Sequence, residues 1–421
     1  MKKIKVLVLN KKERLFVPNR TIDKILETLK TIENIEDFWI LSESGQSIDT
    51  LKNLPHRHIK YKFFEDYNTD NVIEILKIVK PDVILSSNDY DFWSRSFLVA
   101  AKFLNIPTVL LMQFLFDYAK EKNDNIIKGR LFHLKGRIRF LVGKYLLLLK
   151  TYRNVRLDIL SIIKNIVDDV LVTFTQFEPS GKYGCELILV NNDTLLQSIK
   201  KQNNISKIVI TGDPQLDDLI KKFNHNINGN KKTSKSKITV VFLTTSLVEH
   251  GLWSKKMWEE TIRRTCVVFQ NHFSEKVNLV FKIHPASEKK DEYEKLFSKY
   301  GFNFQIFQSE DLDEIISNSD IILAFGDTWS LWDALIMNKP IIMINFVNYP
   351  TTMIPFLQAG VVHEVNQEND LIEMMSNIKN LITDKSKKDT FLKNYLYKFD
   401  GKASERSAIA ILELIKNSQT K

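Results

Sequence analysis

Three short stretches in the second half of the chain carry residues suited to holding an anion. The first is Lys282-Ile283-His284-Pro285, at the end of the expected strand Val277 to Ile283. Side chains alternate along a strand, so Lys282 and His284 face one side. A cation and an imidazole donor side by side suit a diphosphate or a phosphoester. Pro285 stops the strand and fixes the turn. The plainer reading is a polar strand end with a capping histidine. The second stretch is Gly326-Asp327-Thr328-Trp329-Ser330, between the apolar run Ile321 to Phe325 and a helical pattern from Ser330 to Met337. Gly326 permits a sharp turn. Thr328 and Ser330 put hydroxyls and backbone N–H groups at a helix start, which is a natural anion site. Asp333, three residues beyond Ser330, either caps that helix or accepts hydrogen bonds from ribose. The third is Thr244-Thr245-Ser246-Leu247-Val248-Glu249-His250-Gly251, after the run Ile238 to Leu243. Glu249 or His250 would reach a sugar or a base from there. The alternative is a solvated loop.

The first half offers carboxylates. Ser86-Ser87-Asn88-Asp89-Tyr90-Asp91 follows one apolar run, and Gln113 and Gly212-Asp213-Pro214 follow two others. A general base must be a carboxylate or imidazole beside the attacking hydroxyl. Asp89 and Asp91 are expected in that role, with Glu249 and His284 as further catalytic groups. Asn88, Gln113 and Asp213 are expected on the acceptor side. The competing readings are loop hydration and, for Asp213, a turn with Pro214. Other chemistries find no support. No Walker A sequence is present, and Asn10, Lys11 and Lys12 stand where a GxGxxG would follow the first strand. No HExxH occurs, and the two cysteines, Cys185 and Cys266, have no metal-cage spacing. Neither a resident cofactor nor a metal is expected.

Strand ends position all these residues. Strands are expected at Ile4 to Leu9, Phe38 to Leu41, Ile59 to Phe64, Asp82 to Ser86, Thr108 to Gln113, Val170 to Phe174, Glu186 to Val190 and Lys207 to Thr211. A second series follows at Ile238 to Leu243, Val277 to Ile283, Phe302 to Phe307, Ile321 to Phe325, Ile341 to Phe346 and Val361 to Val365. Amphipathic helices separate them, among them Thr21 to Ile32, Asn71 to Val79, Ser94 to Leu104 and Lys255 to Phe269. Short buried strands alternating with helices imply parallel sheets covered on both faces. In such sheets ligands bind at the carboxyl ends of the strands. The expected architecture is α/β, with two Rossmann-like doubly wound domains facing across a cleft. They run over 1–223 and 237–400. The polar stretch 224–236 serves as linker, and a helix over 401–421 packs back on the first domain.

A basic insert at about 118–170 interrupts the first domain. From Lys128 to Arg156 there are nine Lys or Arg and no acidic residue, interleaved with Leu, Ile, Phe and Tyr. The bland reading is solvated helices packed on the sheet. The sharper one is a membrane-surface element, cations on anionic lipid and apolar side chains in the interface. The 421 residues carry a net charge of +9, which suits anionic partners. No recognised nucleic-acid module is present, so no nucleic-acid partner is expected. No uncharged stretch of about 18 residues suggests a membrane span. The chain is expected in the cytoplasm, with peripheral contact at the inner face of the cell membrane.

KIHP, followed by DIILAFGDTWSLWDALIMNKPIIMINF, resembles the GT-B glycosyltransferases and their relatives. The group concerned has a K-x-H-P strand end and an S/T-rich loop before an E-A-L-x-x-x-K-P helix. It includes capsule polysaccharide transferases, bacterial sialyltransferase-like enzymes, CDP-glycerol glycerophosphotransferase-like enzymes and the related UDP-GlcNAc 2-epimerases. The resemblance is architectural over the whole chain and motif-level over about 240–346. It implies a nucleotide-binding C-terminal half, with His284, Thr328 and Ser330 on phosphate and Asp333 on ribose. Lys282, Thr244, Thr245, Ser246, Gly326 and Asp327 complete the expected donor site. Three departures stand out. The family's helix glutamate is Asp333 here. Its Q-H-G is Gln113-Phe114-Leu115. The epimerase H-R-x-E-N is replaced by TTSLVEHG, which argues against epimerase chemistry. The expectation is a metal-independent transferase moving a sugar from a nucleotide-activated donor to a surface-glycan or lipid-linked acceptor. The alternatives are transfer of a polyol phosphate from a CDP-activated donor, and a non-catalytic nucleotide-sugar-binding scaffold.

Overall fold

A computed structural model describes residues 3–10, 20–41, 60–89, 91–112, 145–175, 181, 183–201, 206–226, 237–249, 251–285, 287–326, 328–348, 354–378, 381 and 384–420. Gln113, His250, Asp327 and most of the basic insert and linker lie outside them. The chain forms two compact units, Met1–Asp217 with Asn394–Lys421, and Asp218–Lys393.

The first unit is built on seven strands: β1 (Ile4–Asn10), β2 (Ile35–Leu41), β3 (Lys60–Phe63), β4 (Val83–Ser86), β5 (Thr108–Leu111), β6 (Leu187–Val190) and β7 (Lys207–Ile210). All pair in parallel, in the order β3-β2-β1-β4-β5-β6-β7. The order reverses direction between β1 and β4, the switch point of a doubly wound sheet. β4, β5 and β6 are buried along their length, as a sheet covered on both faces requires. The helix Ala403–Gln419 belongs to this unit and buries Ala408, Ile411, Leu412 and Ile415 against Val6, Val8 and Ile22. Its N-terminus has no local side-chain cap. Asp217 supplies one from a distance, accepting from the N–H groups of Ala403 (2.9 Å) and Ser404 (2.7 Å) and the Ser404 hydroxyl (2.6 Å). Capping by a remote carboxylate ties this helix to its unit as well as satisfying orphan donors.

One expected strand is a helix. Val170 to Phe174 forms the end of the helix Ile159–Thr175. A five-residue apolar run reads equally as strand or buried helix, and upstream Ile159, Ile162, Ile163 and Ile166 already keep helical spacing. Tertiary pairing favours the helix. Asp169 turns inward and meets buried Arg95 at 2.5 Å. The Tyr152 hydroxyl accepts from the same guanidinium at 2.9 Å, and the Tyr183 ring lies 3.8 Å from it. Burial pushes the Tyr145 and Tyr183 phenols up to about 12, so they remain donors, each 3.4 Å from an Asp169 oxygen. This cluster joins the helix Phe92–Phe103, the helices on both sides of 155–158 and the 181–183 segment.

The second unit has six parallel strands: β8 (Ile238–Leu243), β9 (Val277–Lys282), β10 (Gln305–Phe307), β11 (Ile321–Ala324), β12 (Ile341–Ile344) and β13 (His363–Val365). Their order is β10-β9-β8-β11-β12-β13, with the reversal between β8 and β11. One face of its core is rich in aromatic rings. Phe242, Phe281 and Phe325 contact one another through Phe242, and Trp253 stacks on Phe325 at 4.9 Å. The loops after β8, β9 and β11, which hold the three anion-suited stretches, therefore leave the same sheet edge from adjacent strands.

Candidate active site

These three loops are tied to one another in the second unit. Thr244 donates its hydroxyl to Glu288 at 2.5 Å, joining the β8 and β9 loops. Thr245 donates to the Phe325 carbonyl at 3.2 Å, joining the β8 and β11 loops. Gly326 sits at φ +65°, where a built Cβ would lie 2.6 Å from Leu247 Cδ1. A side chain there meets both a strained backbone and a filled space, so glycine permits the close approach. Ser246 is buried in the same loop.

His284 is half-buried, and both its main chain and its ring are held. Its backbone N–H donates to Glu288 at 2.6 Å, and the Ser287 backbone N–H donates to its ring Nδ1 at 3.2 Å. Nδ1 therefore accepts, and the proton of the neutral ring resides on Nε2. That tautomer equips His284 as a hydrogen-bond donor. Lys282, at the end of β9, is buried rather than open. Its ammonium donates to the carbonyls of Gln308 (2.6 Å) and Ile283 (3.4 Å). Burial lowers its pKa, while Glu310, Glu288 and Asp311 pull the other way. Its charge supplies positive potential beside His284 while its donors hold two backbone carbonyls.

After β11, Thr328 is buried and its hydroxyl accepts from the Ser330 N–H at 3.4 Å. The helix Ser330–Ile336 has no side-chain cap at Trp329. Asp333 lies in its first turn and is buried, not presented on a solvated surface. Lys339, the lysine of the NKP turn, donates to the carbonyls of Ser317 and Ser319 at 2.8 and 2.6 Å. It closes the end of the helix Leu312–Asn318, where a cation suits the unpaired carbonyls. Glu249 is exposed beyond β8.

Glu288 was not among the residues singled out in the sequence. It is buried and accepts three hydrogen bonds, from Thr244, His284 and Tyr293, the last at 2.7 Å. Burial raises its pKa against those donors. Its trace in the sequence is an acid four residues after His284, just before the helix Lys290–Tyr300, which reads as an ordinary helix start.

In the first unit the described groups among the expected catalytic and acceptor-side residues mostly bind the backbone. Asp89 is fully buried and accepts from the N–H groups of Gly181 (2.9 Å) and Tyr183 (3.0 Å). Burial pushes its pKa up to about 6. Asp91 caps the helix Phe92–Phe103, accepting from Trp93, Ser94 and the Ser94 hydroxyl. Asn88 accepts from the Asp91 N–H at 3.4 Å. Asp213 is buried, accepts from the Gln215 N–H at 3.0 Å, and is raised to about 7, chiefly by burial and then by Asp217. The turn with Pro214 is the reading that its geometry follows. Among the described residues no group of three or more His, Cys, Asp or Glu could hold a metal ion.

A model of the CDP-glycerol:poly(glycerophosphate) glycerophosphotransferase family matches residues 171–413, more than half of the chain and all of the second unit. The chain belongs to this family. No curated protein matches it. Among solved structures it is similar to the UDP-GlcNAc 2-epimerase from Neisseria meningitidis bound to UDP-GlcNAc, at 14% identity and TM-score 0.55, covering 97% of this chain and 100% of that one. It is also similar to the glycotransferase of kitacinnamycin, at 12% identity and TM-score 0.57 over 98% and 100% of the two chains. The calicheamicin glycosyltransferase CalG4 gives 11% identity and TM-score 0.55 over 99% of each. At these identities the likeness is one of fold, and the fold is GT-B. The expected fold and the glycerophosphotransferase likeness hold, and the chain belongs to a transferase family with the GT-B fold.

Proposed function

We propose that the chain transfers a polyol phosphate from a CDP-activated donor to a growing surface polymer. The observation that carries this reading is the family match, which spans the whole unit containing the KIHP turn. It moves polyol-phosphate transfer ahead of the sugar transfer expected from the motifs. The acceptor hydroxyl attacks the phosphorus next to the polyol, the bridging P–O bond breaks, and CMP leaves. Charge then grows on the CMP phosphate. The Nε2–H of His284 and the field of Lys282 are suited to stabilise it, in the manner of fixed donors around a developing anion. The Thr and Ser of the β8 and β11 loops form the walls of the site, and Asp333 stands as the ribose contact. Metal independence belongs to the same proposal. Asp89 and Asp91 are engaged by backbone N–H groups, so Glu249 takes the hydroxyl proton in this reading. Glu249→Gln would then keep nucleotide binding and lose turnover.

The test is thermal melting of the full chain against CMP, CDP, UDP, GDP and ADP, followed by product analysis with CDP-glycerol. A ligand at about 100 times its Kd adds roughly 2.7 kcal/mol, a visible shift. Cytidine nucleotides are expected to shift the melt, and CMP to be released. A shift by UDP alone, with UDP released from a nucleotide sugar, would return sugar transfer to first place. Binding without turnover on any acceptor would favour the scaffold.

We further propose that the first unit meets an anionic membrane surface. The support is a stripe on the helix Ile159–Thr175, where Ile159 and Leu160 are 74% and 79% exposed and Ile163 and Val167 also face out. Exposed Arg153, Arg156 and Lys164 border it. Apolar side chains at the interface beside cations at the headgroups make a surface-binding helix. No helix among the described residues is long and apolar enough to cross a membrane. Co-sedimentation with vesicles containing phosphatidylglycerol should be strong for the native chain. It should fall at least fivefold for the Ile159→Ser, Leu160→Ser double variant. Equal binding of both proteins would sink the assignment.

A further inference from the structure

We infer that Glu288 is a positioning residue for the donor site, locking the β8 and β9 loops so that His284 meets the donor phosphate. The inference rests on the donor-site reading above. Glu288 is 5% exposed, and its two carboxylate oxygens are divided between tasks. One oxygen takes both the Thr244 hydroxyl at 2.5 Å and the His284 backbone N–H at 2.6 Å. The other takes the Tyr293 hydroxyl at 2.7 Å, and Tyr293 in turn accepts from the Trp258 indole at 3.1 Å. The Glu288 carbonyl accepts from Gln308 at 2.8 Å, and Lys282 holds the Gln308 carbonyl. The chain of contacts thus runs from the helix Lys255–His272, through a buried tyrosine and carboxylate, to the main chain of the KIHP turn.

A carboxylate is an odd choice beside a site meant for an anion. Its negative charge repels a phosphate, and burial makes it costly unless its oxygens are satisfied. A purely structural filler would do better as an apolar residue. What an acid offers here is an acceptor that two loops can share on a single oxygen. It fixes the main chain of His284, while Ser287 fixes the ring. Displacements of about 1 Å at such a group can cost on the order of 100-fold. Glutamine supplies the same shared oxygen, and its amide can donate to the Tyr293 oxygen.

CDP affinity by calorimetry and the unliganded melt would be measured on the full chain for the native protein, Glu288→Ala, Glu288→Gln, Thr244→Val and His284→Ala. Glu288→Ala should weaken CDP at least tenfold, Thr244→Val three- to tenfold, and Glu288→Gln less than threefold. If Glu288→Ala binds CDP within threefold of native while His284→Ala does not, the inference falls and the donor site stands. A Glu288→Gln loss as large as that of alanine would also overturn it, because charge rather than position would then matter. Should Glu288→Ala fail to fold, Thr244→Val decides, and native-like affinity there overturns the assignment. If the native chain binds no CDP, the donor-site reading fails first, and this inference with it.

Discussion

His284→Ala is expected to lower kcat/KM for transfer by about 100-fold or more, with little change in the melt of the free protein. The size follows from the role. Removing one fixed donor from a developing anion costs about 10² to 10³ in rate. In the proposed reading, the tautomer set by Ser287 makes Nε2–H that donor. The side chain is half-buried in a turn whose main chain is separately held by Glu288, so its loss need not collapse the loop. His284→Gln, whose side-chain amide places an N–H at a similar distance from the backbone, should recover part of the rate. Steady-state kinetics on both variants checks this. A kcat/KM within threefold of native for His284→Ala would remove the histidine from the donor site.

Asp169→Ala is expected to destabilise the first unit by about 3–5 kcal/mol, the usual result of leaving one member of a buried ion pair alone. Arg95 is 4% exposed and Asp169 5%, so neither charge can turn to water. The tyrosines around the pair can hydrogen-bond but cannot neutralise the guanidinium. An Arg95→Met, Asp169→Leu double variant should lose much less, since it buries no charge. Urea unfolding followed by a probe in the first unit is the measurement, because two compact units need not unfold together. With a slope of about 1–3 kcal/mol/M, the Asp169→Ala midpoint should fall by about 1 M or more. A native midpoint would mean that the pair is not buried in solution.

By itself, the sequence determined the two parallel sheets and the strand ends worth inspecting. Strands such as Val83–Ser86, Ile238–Leu243 and Ile341–Ile344 are short aliphatic runs between polar turns, a local signal that needs no tertiary context. KIHP and the Gly326 loop were legible for the same reason, since a proline, a histidine and a glycine at strand ends mark turns wherever they occur. Tertiary structure decided what each polar side chain faces. Lys282 reads as a phosphate ligand in sequence and holds the carbonyls of Gln308 and Ile283 in the fold. Asp89 and Asp91 read as bases, and in the fold both accept from backbone N–H groups, one of them 92 residues away. Glu288 reads in the sequence as an ordinary helix start, because Thr244, which shares its carboxylate with nearby His284 and Tyr293, lies 44 residues away. Val170 to Phe174 continues the helix that begins at Ile159, and the same helix carries Asp169 to Arg95, 74 residues away. Backbone periodicity is a short-range property, fixed by neighbours along the chain. The partner of a buried polar group is chosen by desolvation, which penalises any group left unpaired, and the chain must fold before those partners meet.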